Sequence, residues 1–95
     1  MIQGNYIRTD GPIAVSNTLQ ITNDKMIYGA EEPNLYEAKY KVSKINEDKV
    51  FVFLIEDEKQ IEINVQEAGL QIDIEFDDDL TDVMLHGFEG SWKKR

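Results

Sequence analysis

Ninety-five residues, 41% hydrophobic and 31% charged, suffice for one domain with one compact core. Ten Lys and Arg against nineteen Asp and Glu give a net charge of −9, which opposes binding to nucleic acid or to anionic membrane surfaces, since both need a cationic face. The absence of cysteine excludes disulfides, thiolate metal sites and cysteine nucleophiles.

In chain order, Met1 to Tyr6 has neither the basic region nor the apolar run of a signal peptide. Gly4 to Arg8 fits a strand, ended by the turn signal Asp10-Gly11-Pro12, and Pro12 to Val15 allows one helical turn at most. Thr18 to Thr22 and Lys25 to Tyr28 form a hairpin pattern around Asn23-Asp24, followed by a loop at Glu31-Glu32-Pro33-Asn34. Tyr36, Ala38, Tyr40 and Val42 then alternate with Glu37, Lys39, Lys41 and Ser43, the period-two signature of a half-buried strand. A polar turn at Asn46 to Lys49 leads into Val50 to Ile55, apolar on both faces like a central strand covered on both sides. That run is also the longest apolar stretch, far short of the roughly 20 residues that span a bilayer. The default expectation is a soluble, cytoplasmic protein.

Ile61, Ile63 and Val65 alternate with Glu62, Asn64 and Gln66. After the hairpin-length connection Glu67-Ala68-Gly69, Leu70, Ile72, Ile74 and Phe76 alternate with Gln71, Asp73, Glu75 and Asp77. Gly69 is free to take positive φ there. A further strand is expected over Thr81 to His86, ahead of Gly87, Gly90 and Trp92. No segment holds a 3.6-residue period. The pattern predicts an all-β domain over residues 1–95, an antiparallel meander barrel of seven or eight short strands, with a two-layer sandwich as the alternative. Closure removes strand edges that invite aggregation, and a barrel of this size is filled by its own side chains.

Gly4-Asn5-Tyr6 is similar to the Gly-x-Trp signature that opens lipocalins and related calycins, with Tyr in place of Trp. Gly90-Ser91-Trp92-Lys93 repeats Gly-x-Trp beside a cation. In that family an aromatic at the closed end packs against a basic residue of the last strand, a role that Tyr6 with Arg8, or Trp92 with Lys93, would resemble. The resemblance implies a meander barrel and a small apolar ligand.

The charge is concentrated. Between Glu56 and Glu89 twelve acids face a single cation, Lys59, for a net −11, while the rest of the chain carries nine cations and seven acids, net +2. If the strands on either side of Glu67-Ala68-Gly69 pair, Glu62 lies opposite or diagonal to Asp73 and Glu75. Like charges so placed repel. The functional reading is a negative surface for a basic protein partner, formed by Glu62, Asp73 and Glu75. The plainer reading is a solvated face that keeps the domain soluble.

Other chemistry is thin. Asp77-Asp78-Asp79-Leu80-Thr81-Asp82 offers oxygen ligands but not the spacing of a calcium loop, so it reads as an acidic turn and no metal is assigned. His86, the one histidine, lies in no nucleophile-elbow or triad context, so no catalytic residue and no cofactor is assigned. Tyr28, Tyr36, Tyr40, Phe53 and Trp92 are the ligand-binding candidates if the chain carries a small apolar molecule. Tyr28 and Tyr36 are placed at a rim, and Phe88 with Trp92 reads as barrel-end packing. The expected function is non-enzymatic recognition of a basic macromolecule through the acidic sheet face. The alternative is a lipocalin-like carrier.

Overall fold

Eight strands pair in sequence order: β1 (Gly4–Asp10), β2 (Thr18–Ile21), β3 (Lys25–Tyr28), β4 (Tyr36–Asn46), β5 (Val50–Ile55), β6 (Lys59–Gln66), β7 (Gln71–Phe76) and β8 (Gly90–Lys94). All contacts are antiparallel, and β8 returns to β1, so the sheet closes into a barrel rather than splitting into a sandwich. The structure, a computed structural model, describes residues 2–11, 16–29, 36–55, 59–76 and 87–95. The turn expected at Pro12 to Val15, the loop at Glu31 to Asn34, the acidic turns at Glu56 to Glu58 and Asp77 to Asp82, the strand over Thr81 to His86, and His86 itself lie outside those residues. Among the described residues no helix is long and apolar enough to cross a membrane.

Period-two alternation decides which residues face inward. Tyr6, Leu19, Ile21, Met26, Ala38, Tyr40, Phe51, Phe53, Ile55, Ile61, Ile63, Ile72, Ile74 and Trp92 are buried and form one core cluster with Tyr28 and Phe88. No polar or charged residue is buried among those described. Tyr40 stacks on Phe53 with ring centroids 4.1 Å apart and planes 9° apart, an arrangement that adds to the area both rings bury. Phe88 caps one end of this core, 6.1 Å from the rings of both Tyr28 and Tyr36. Tyr28 is therefore buried rather than at a rim, and Tyr36 is half-buried.

Three elements differ from what the sequence pattern implies. β4 continues to Asn46 because Ser43 is an extra residue between the pairs Val42↔Phe53 and Lys44↔Val52. Such a bulge resets the alternation and places Val42 and Ile45 on the same face. The outer residues of β5, Val50, Val52 and Leu54, are half-buried, so this strand is buried fully on one face only. Its outer side chains lie in rows between those of β4 and β6: Leu54 pairs with Lys41 and Gln60, and Val52 with Lys44 and Glu62. Long polar side chains in such rows shield apolar neighbours with their methylene stems. The last described strand begins at Gly90, a residue type that weakens a strand pattern.

Tyr6 ties the N-terminal residues to the barrel. Its hydroxyl donates to the Ile2 carbonyl at 2.5 Å, and burial pushes its pKa from 10.0 up to about 12. Burial raises Tyr40 as well, helped by Asp24. A folded-state pKa above the unfolded one means the contribution is complete below pH 10.0 and is lost as pH rises toward about 12. Circular dichroism across that window is expected to show alkaline unfolding, and Tyr6→Phe should flatten the profile. An unchanged profile in the variant would contradict the assignment to Tyr6.

Candidate functional site

The pairing of β6 with β7 places Glu62 directly opposite Glu75 and Asn64 opposite Asp73, with Ser91 of β8 beyond Asp73. Glu62 and Asp73 are half-buried and Glu75 is exposed. Asp73 is held on both sides: Ser91 Oγ donates to its Oδ1 at 2.5 Å and Gln66 Nε2 donates to its Oδ2. Among the described residues no hydrogen bond holds Glu62 or Glu75 in this way. All ten Lys and Arg lie among the described residues, and there none forms an ion pair with Glu62 or Glu75. The structure thus brings the three acids onto one patch, with Asp73 oriented and the other two without a paired cation among the described residues.

Beside this patch lies an open cleft of about 740 Å³, whose lining includes Asn64, Gln66, Asp73, Glu75, Glu89 and Ser91. Arg8 builds its margin from within. Its Nη1 donates to the Glu89 carbonyl and its Nη2 to the Gly87 carbonyl, while the guanidinium sits over the Trp92 ring, 4.2 Å from the centroid. Burial lowers the Arg8 pKa, opposed by Tyr28. The group stays cationic, as guanidinium does in proteins. Gly90 lets the two backbones meet there, since a Cβ on it would lie 2.3 Å from the Asp10 carbonyl oxygen.

The aromatic–cation pairs differ from those expected within single strands. Trp92 pairs with Arg8, and Tyr6 with Lys94, whose Nζ is 5.9 Å from the ring centroid. Both pairs bridge β1 and β8 because the register aligns Arg8 with Trp92 and Tyr6 with Lys94. Lys93 cannot meet Trp92, since neighbouring side chains point to opposite faces of a strand. The five ligand-binding candidates split: Tyr40 and Phe53 stack, Tyr28 and Tyr36 pack on Phe88, and Trp92 lies under Arg8. They line neither the cleft beside the acids nor the second one described below.

Compared with protein-family models, curated proteins and solved structures, the chain matches none.

Two features were not singled out in the sequence. The first is an open cleft of about 750 Å³ at the end formed by the β4–β5 and β6–β7 turns, with Ile2, Phe51, Val65 and Leu70 among its lining. Its rim carries Glu47, Asp48, Glu67 and Ala68, the four non-glycine residues with positive φ among those described, at 51–56°. Such pairs usually contain glycine or asparagine, so no residue type marks the turn type at these four positions. The second is a row of lysines. Lys39 lies directly opposite Lys25, and Lys41 and Lys44 continue the row along the outer face of β4. Lys25 also pairs with Glu37 at 3.7 Å. The alternation of Lys39 and Lys41 carries this signal within a chain whose net charge is −9.

Proposed function

We propose that this protein is a non-enzymatic binding module that recognises a basic macromolecular partner through the acidic outer face of β6 and β7. The observation that carries the reading is the cross-strand pair Glu62↔Glu75 without a cation of its own among the described residues. Opposed like charges cost about 0.2–1 kcal/mol, and a partner's Lys or Arg would turn that cost into attraction. Asp73, oriented by Ser91 and Gln66, is suited to a directional hydrogen bond to guanidinium or ammonium, and the adjoining cleft leaves room for the side chain that bears it.

The test uses the folded protein and a fluorescein-labelled oligoarginine peptide, followed by anisotropy at low and high salt. Glu62→Gln with Glu75→Gln should weaken binding on the order of tenfold and remove most of its salt dependence. The same double variant should raise stability by about 0.2–1 kcal/mol, because the repulsion is gone. Peptide affinity equal to that of the unaltered protein would leave the acids as a solvated face and overturn the reading.

A further inference from the structure

β4 outruns its neighbour. Pairing with β3 ends at Lys25↔Lys39, with one further bond from the Tyr40 amide to the Asp24 carbonyl at 3.0 Å. Beyond Tyr40 the pairs of β4 run only to β5, so among the described residues no strand covers the other edge of 41–46. The inner face of this overhang is apolar and open. Val42 and Ile45 stand opposite the buried Phe53 and Phe51, yet are 45% and 46% exposed. Its outer face continues the cationic row that starts at the Lys25↔Lys39 pair, through Lys41 and Lys44.

From this geometry we infer that the edge of β4 beyond Tyr40, which no described strand covers, is a docking site for an extended acidic peptide segment, which adds as a further strand alongside residues 41–46. A strand edge presents backbone N–H and C=O groups that another extended backbone satisfies, while alternate side chains give specificity. On the inner side the incoming strand would cover Val42 and Ile45 with apolar residues. On the outer side it would place carboxylates beside Lys44 and diagonal to Lys39, whose direct neighbour on that edge is Lys25. Charge selects this occupant over a second copy, because pairing two β4 edges would bring two lysine rows together. The acidic patch of a second copy lies on β6 and β7, whose edges are already paired. Lysines and bulges on an edge also guard against self-association. That role is compatible with selection for an acidic strand, and the test separates the two.

The probe is a fluorescein-labelled octapeptide of alternating glutamate and valine, measured by anisotropy against the unaltered protein, with amide chemical shifts read in parallel. Binding is expected to fall with salt, to weaken on the order of tenfold in the Lys39→Gln, Lys44→Gln double variant, and to vanish when alternate peptide amides are N-methylated. The largest shifts should fall at residues 41–46. Glu62→Gln with Glu75→Gln should leave this affinity unchanged, so the site stands or falls separately from the acidic face. Absence of binding would leave the lysines as an edge guard and overturn the proposal. Binding indifferent to N-methylation, or a concentration-dependent dimer of the free protein altered by the lysine variant, would overturn it too.

Discussion

Replacing Trp92 by alanine is expected to cost about 3–5 kcal/mol, the range for deleting a large buried aromatic. Trp92 is fully buried on the closing strand, and three separate interactions converge on it. Its ring packs in the core cluster, its face receives the Arg8 guanidinium at 4.2 Å, and its Nε1 donates to the Phe88 carbonyl at 3.0 Å. The truncation leaves a cavity and strips Arg8 of its aromatic partner. Small domains have about 5–15 kcal/mol in total, so this single change should bring the barrel close to unfolding at ambient temperature. Urea titration is the measurement, with a lowered midpoint at an unchanged slope as the expected result. Trp92→Phe should keep most of the packing and lose the Nε1 bond, for about 0.5–1.5 kcal/mol. A loss under about 1 kcal/mol in the alanine variant would mean the seam does not depend on this residue.

Gly90→Ala is expected to be nearly as damaging, at about 2–5 kcal/mol, by a different route. At φ +119° an L side chain is strained, and its Cβ would come within 2.3 Å of the Asp10 carbonyl oxygen and 2.9 Å of Gly11 Cα. Both contacts are backbone atoms of the β1 side, which no rotamer change can relieve. The barrel seam between β1 and β8 must open there. Gly69→Ala is the comparison. Gly69 also has positive φ, +94°, but nothing lies within 4 Å of its would-be Cβ, so strain alone remains, about 1–2 kcal/mol. Thermal denaturation of the two variants separates strain from collision. Equal losses would show that the close approach of β1 and β8 yields without cost.

The two variants bear on the acidic patch as well as on stability. Arg8, Trp92 and Gly90 together hold the segment from Gly87 to Ser91 against β1, and that segment forms one margin of the cleft beside Asp73 and Glu75. A loosened seam should therefore blur the acidic site before the whole barrel unfolds. In contrast, the lysine edge of β4 lies among strands whose pairs do not pass through this seam.

Alternation was the most legible part of the chain. Ile61, Ile63, Ile72 and Ile74 face inward, and Glu62, Asp73 and Glu75 outward, because side chains in a strand alternate strictly and only one face of a barrel wall is dry. The short connection Glu67-Ala68-Gly69 implied the antiparallel pairing that sets Glu62 against Glu75. The bulge at Ser43 was not legible, since Lys41-Val42-Ser43-Lys44-Ile45 reads as a plain strand that would put Ile45 outward. Nor was the backbone conformation of the turns at Glu47-Asp48 and Glu67-Ala68, where the left-handed region is adopted by residues that do not favour it.

The sequence by itself thus determined the class, the meander of strands and the membership of the acidic face, since each follows from local periodicity and turn chemistry. Closure, register and the uncovered end of β4 were decided only by the tertiary structure. The match of Arg8 with Trp92 and Tyr6 with Lys94 joins residues more than eighty positions apart, and no local pattern encodes which of several cations will meet which ring. The overhang of β4 is likewise a difference in length between two neighbouring strands. It exists only once β3 stops at Lys25 and β4 runs on to Asn46 beside it.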